Sequence, residues 1–138
     1  MDLRKIDDVL TVSPQIAPGD MAALKRAGFR SIICNRPDGE EPGQPGFADI
    51  AGAAARAGLA ARHVPIRPGP PEEADVAAFG IALRELPAPI LAYCRSGTRS
   101  ATLWSLSAAG TRPTEEILAA TRAAGYDMSP LADRIARA

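Results

Sequence analysis

The segment Cys94-Arg95-Ser96-Gly97-Thr98-Arg99-Ser100 places a nucleophile, a glycine and a cationic fork of donors within one short stretch. An apolar run, Ile90 to Tyr93, precedes it and is short enough for a buried strand. A helical pattern runs from Ser100 to Gly110. A cysteine between a strand end and a helix N-terminus faces unpaired N–H groups and the positive end of the helix dipole. That field stabilises an anion and favours thiolate over thiol. Cys94 is therefore the expected nucleophile, and Arg99, whose planar guanidinium presents paired donors, the expected anchor of the anion it reacts with. Arg95, Ser96, Gly97 and Thr98 are expected to line the anion cradle with backbone N–H groups, Gly97 allowing angles that other residues resist. Ser100 is placed to donate its hydroxyl to the Cys94 sulfur.

Positioning such a loop requires a sheet. Val9–Ser13, Phe29–Cys34, Ala61–Ile66 and Ile90–Tyr93 read as strands. Helical patterns lie at 21–27, 47–57, 72–86, 100–110, 114–124 and 131–136, most of them stopped by glycine or proline. The alternation argues for an α/β domain around a mainly parallel sheet flanked by helices, with no strand after Cys94. Ligands of such sheets bind beyond the carboxyl ends of strands, where both Cys94 and Cys34 fall.

Other side chains are candidates of lower rank. Cys34 reads first as a core residue, and second as a thiol that resolves an oxidised Cys94. Arg36 and Asp38 lie in a loop dense in proline and glycine, on the expected ligand side, where a local ion pair and a substrate contact are both open. Asp38 is a reserve general acid. Glu40 and Glu41 read as solvated. His63 reads as a structural histidine bonded to backbone, and Glu72, Glu73 and Asp75 as acids favoured at a helix start.

The totals narrow the class. A chain of 138 residues suits one domain over 1–138 with a real core. Sixteen basic and sixteen acidic residues cancel, so no global field points to nucleic acid or anionic lipid. There is no apolar run near the roughly 20 residues of a membrane span, and the polar start carries no signal-peptide pattern. A cytoplasmic protein with two free thiols is expected. One histidine and two distant cysteines offer little for zinc, and no metal or organic cofactor is expected.

From Cys94 to Arg99 the pattern is C-x4-R, and Tyr93 to Ser100 resembles the active loop of rhodanese-type sulfurtransferases. Cysteine-based protein phosphatases use C-x5-R, usually with histidine where this chain has Tyr93. The stretch from Leu24 to Ile33, however, resembles the first helix and strand of the dual-specificity phosphatase fold. Rhodanese domains continue with a strand after the loop helix, and this chain does not. Taken whole, and chiefly through Asn35–Glu40 and the Cys94 loop, the chain resembles the family called beta-lactamase-hydrolase-like, phosphatase-like domain, also known as a sulfur transferase family. The resemblance implies a dual-specificity or tyrosine-phosphatase-like architecture.

Two features favour sulfur transfer over phosphate chemistry at this stage. The loop is one residue short, and the loop after Ala61–Ile66 lacks the aspartate that protonates a phosphatase's leaving group. The expectation is a rhodanese-like sulfurtransferase. Cys94 would take sulfur from thiosulfate or glutathione persulfide and pass it, as a Cys94 persulfide, to a thiol. Family members fused to a domain resembling persulfide dioxygenases imply such an enzyme as a partner. The alternatives are a cysteine-dependent phosphatase working through a phosphocysteine, and a module that binds an anion without turnover.

Overall fold

A computed structural model describes residues 1–138. The strands are β1 (Arg4–Lys5), β2 (Leu10–Ser13), β3 (Ser31–Cys34), β4 (Ala60–His63) and β5 (Ile90–Tyr93). The helices are α1 (Met21–Arg26), α2 (Phe47–Ala57), α3 (Glu73–Glu85), α4 (Thr98–Ala108), α5 (Thr114–Ala123) and α6 (Ala132–Ala136). One sheet has the order β1-β2-β5-β3-β4. β1 is antiparallel to β2, and the other pairings are parallel. The expected α/β architecture around a mainly parallel sheet is the observed one.

Strands β2, β3 and β5 are buried along their whole length, as the central strands of a sheet covered on both faces are. Strand residues point alternately to opposite faces, and β5 divides accordingly. Ile90 and Ala92 enter a core with Phe79, Leu103, Trp104 and Ile117 of α3, α4 and α5. Leu91 and Tyr93 enter a second core with Leu24 of α1 and Ile50 of α2. β3 alternates in the same way, with Ile33 in the first core and Ile32 and Cys34 in the second.

Most element ends shift by one or two residues from the sequence reading, and three differences matter most. β1 was not expected, because two charged residues at a sheet edge carry no apolar period. β4 stops at His63 rather than Ile66, because its register to β3 slips there: the Val64 N–H takes the Cys34 carbonyl, but the Ile66 N–H takes that of Asn35. α4 begins at Thr98, two residues before Ser100, so Arg99 stands in its first turn. No strand follows Cys94. No helix is long and apolar enough to cross a membrane.

Candidate active site

β5 lies between β2 and β3, so Cys94 leaves the sheet at its centre. The next turn is made by Gly97, which caps α4 at φ +96°, a left-handed angle that favours glycine. A side chain at 97 is barred by space as well as by angle, because a Cβ there would collide with the Tyr126 hydroxyl. Tyr126 donates that hydroxyl to the Ser96 carbonyl at 3.2 Å, closing the loop from outside. Inside, the Gly97 N–H donates to Cys94 Sγ at 3.1 Å. Cys94 is fully buried, and its sulfur accepts this one backbone donor at the start of α4.

The other loop residues divide by side chain. Ser96 and Thr98 are exposed and bond to each other, Oγ to Oγ1 at 3.2 Å. Arg95 is exposed and lies 3.8 Å from Glu41. Ser100 does not reach the sulfur as expected. It is buried and donates to Asn35 Oδ1 at 2.8 Å, while Asn35 Nδ2 donates to the Val64 carbonyl at 2.9 Å. A buried amide needs both bonds, so Ser100 ties α4 to the end of β3 instead of serving the cysteine.

Both terminal nitrogens of Arg99 are engaged. Its Nη1 donates to Glu40 Oε2 at 2.8 Å and to the Ile66 carbonyl at 2.9 Å, and its Nη2 donates to Glu40 Oε1 at 2.8 Å. The guanidinium thus clamps two oxygens of one anion. Behind Glu40 stands Arg36, with 1% of its side chain exposed. Arg36 donates to Glu40 at 2.8 Å, Glu41 at 3.1 Å and Gln15 at 3.0 Å. The Arg99 donors, with those of Arg36 beside them, hold the Glu40 carboxyl down at about 2 against the opposing push of burial.

Glu40 therefore corrects the reading of a solvated charge. Its side chain is only 19% exposed although its backbone is open. The local signal was its place four residues after Arg36. The decisive partner, Arg99, lies 59 positions away and no spacing rule reaches it. Gln15 and Tyr126 were missed for the same reason.

The remaining candidates have structural posts. Arg36 is the centre of an ion-pair network, with Glu40 and Glu41 rather than Asp38 as its partners. Asp38 accepts the Phe47 N–H at 2.8 Å and so fastens the start of α2, not a leaving group. Asp75 accepts the Glu72 N–H at 2.9 Å and caps α3. His63 Nε2 meets the Arg36 carbonyl at 2.9 Å, and its ring stacks on Phe47 at 4.6 Å.

Cys34 pairs in register with Tyr93 and shares the core toward α1 and α2, its thiol pKa raised by burial. By the same alternation Cys94 turns to the opposite face, where α4 begins. Both cysteines are free and buried. The Tyr93 hydroxyl is buried without a hydrogen-bond partner, with Cys34 and Gln15 beside it. Burial raises its pKa. No cluster of side chains is built to hold a metal ion.

A cysteine at the centre of a parallel sheet, a glycine-capped helix and an arginine clamped on an anion can be compared with known proteins. The family model for the phosphatase-like domain of beta-lactamase hydrolase-like protein matches residues 2–111. The chain belongs to this family. A beta-lactamase hydrolase-like protein of Xylella fastidiosa (strain Temecula1) is 39% identical over 130 residues, 93% of this chain. The chain spans only 30% of that relative's length. Among solved structures, a candidate phosphatase from Neisseria meningitidis Z2491 superposes with a TM-score of 0.87 at 36% identity. The match covers 99% of this chain and 98% of that one. Tk-PTP in its active form superposes with a TM-score of 0.74 over 99% of this chain and 94% of that one. At 18% identity that likeness concerns the fold.

These likenesses overturn the expected sulfurtransferase. The family is phosphatase-like, and these neighbours are described as phosphatases. The physical reason lies in the weight given to loop length. Counting residues from Cys94 to Arg99 does not measure the opening they enclose. With α4 starting at Thr98, Arg99 projects from the first helical turn and takes two oxygens at 2.8 Å each. That fork holds the oxygens of an anion, and loop length by itself does not choose which anion.

Proposed function

We infer that this domain is a cysteine-dependent phosphatase that acts on phosphomonoesters. The observation that carries the reading is the Arg99 fork, which holds two oxygens of one anion at 2.8 Å beside the loop that buries Cys94. A phosphoryl group presents the same pair of oxygens, and a third for the N–H groups of residues 95–99.

In this reading the Cys94 thiolate attacks phosphorus. A sulfur–phosphorus bond forms as the bond to the ester oxygen breaks, and the leaving oxygen departs with the electron pair. Water then attacks the phosphocysteine, returns the thiolate and releases phosphate. Charge developing on the equatorial oxygens is met by Arg99 and the loop N–H groups once the phosphoryl group is seated. Arg95, exposed on the rim, faces the part of the substrate beyond the phosphoryl group.

Proton supply to the leaving oxygen is the weak point of the site. Asp38 and Asp75 are engaged with backbone N–H groups, and Glu40 lies on Arg99. Esters whose leaving group is already a stable anion are therefore the better substrates. The test is hydrolysis of an aryl and an alkyl phosphate by the wild type and Cys94→Ser. We expect aryl hydrolysis that Cys94→Ser abolishes, a mass gain of one phosphoryl group on Cys94 after acid quench, and much slower alkyl turnover. Phosphate binding with no hydrolysis of either ester would leave an anion-binding module instead. With both thiols free, the cytoplasm is the compartment we assign, and cell fractionation checks it.

A further inference from the structure

In this fold a side chain of the same protein fills the Arg99 fork. Both terminal nitrogens of Arg99 donate to the two oxygens of Glu40, each at 2.8 Å. The arrangement is braced rather than incidental. Arg36, buried to 1% exposure, donates to the same Oε1 at 2.8 Å, and its other two nitrogens are held by Gln15 and Glu41. Glu41 lies in turn 3.8 Å from Arg95 on the rim. The loop carrying both glutamates is fastened at its ends by the Gln44 amide on the Pro37 carbonyl and by Asp38 on Phe47. Three guanidinium groups thus face two carboxylates around the mouth of the Cys94 loop.

We propose that Glu40 is a specificity-determining residue: a resident anion on Arg99 that the phosphoryl group of a substrate must displace, and that keeps carboxylates out. The inference rests on the phosphatase reading for its substrate class, though not for its anion chemistry. A tethered carboxylate competes at an effective concentration of order mM or above, set by its loop. A free carboxylate offers Arg99 the same two oxygens and charge as Glu40, with no such advantage, so it does not displace it. A phosphomonoester dianion carries a second charge and a third oxygen, which reaches the loop N–H groups that Glu40 leaves untouched. It gains where a carboxylate cannot. The exchange moves no covalent bond. Glu40 gives up Arg99 and keeps Arg36, while the phosphoryl oxygens take the vacated donors.

Glu40→Gln removes the competing charge and keeps an oxygen for Arg36, and Glu40→Ala removes both. The probes are inorganic phosphate and acetate, with direct calorimetric binding and competition against an aryl phosphate as readouts, and a thermal melt confirming the fold. We expect Glu40→Gln to bind phosphate about tenfold more tightly. KM for the aryl ester should fall without a parallel fall in kcat. Acetate, inert toward the wild type, should become a competitive inhibitor. Unchanged or weaker phosphate binding in both folded variants, with acetate still inert, would overturn the role. If the variants tighten phosphate yet no form hydrolyses the ester, the resident anion stands and the phosphatase reading falls. Hydrolysis present with binding indifferent to Glu40 separates the two the other way.

Discussion

Two loops meet at Arg99, and they are built by opposite means. Residues 94–99 form their cradle from backbone. A glycine at φ +96° turns the chain, a helix start aims its N–H groups, and the side chains of Arg95, Ser96 and Thr98 face solvent. Residues 35–46 form their half from side chains. Arg36 is buried so that Glu40 and Glu41 can be held out over the cysteine loop, and Gln15 from beyond β2 completes the bracing. Backbone donors are present whatever the side chains and lie where the turn puts them. Ion pairs require particular residues and place charge where no backbone group can. The first loop suits a constant oxyanion, and the second suits control over which anions enter.

The sharpest way to break the comparison is at Gly97. Glycine-to-alanine there forces a left-handed angle on a residue with a Cβ and drives that Cβ into Tyr126. We expect a loss of about 1–3 kcal/mol in stability. Aryl phosphate turnover should drop about a hundredfold, because the cradle moves by a fraction of a turn. Denaturant unfolding and steady-state kinetics check both. If turnover survived, the backbone would not be what holds the anion.

Arg36→Ala acts on the other loop. It strands Glu40 and Glu41 without their buried partner, and the expected cost is about 2–3 kcal/mol of stability. The kinetic change should lie in KM far more than in kcat, because the cysteine loop itself is untouched. An equal fall in kcat would mean that the two loops are not separable.

The smallest effect is a dependence on pH. Glu40 is held at about 2 in the folded protein, below its ordinary 4.5. Between these values the unfolded chain binds more protons than the folded one, so stability rises with pH. The contribution is complete above about 4.5 and is lost as pH falls through about 2. Unfolding curves across that window should be steeper in pH for the wild type than for Glu40→Gln. Parallel curves would place Glu40 in solvent, as the sequence alone suggests.

How much of the molecule could be read in advance divides along the same line. Strand β5, the Gly97 turn and the helix after it are contiguous, so apolar run, glycine and helical period sufficed to place Cys94 and Arg99 in one loop. The alternation of strands and helices likewise sufficed for a mainly parallel sheet. β1 was hidden by its two charged residues, and the role of Ser100 by an amide just past the end of β3. Asp38 looked like a reserve general acid until its backbone partner was visible.

The choice between sulfur and phosphate shows the limit most clearly. The sequence by itself determined that a cysteine and an arginine share a short anion-binding loop at a strand end, because local spacing dictates local geometry. The tertiary structure alone decided what that loop faces. Arg99 and Glu40 stand 59 residues apart, and Arg36 is buried only because β3 ends beside β5. Chain folding sets such distances through the order of strands in the sheet. A residue count along the loop carries no information about them.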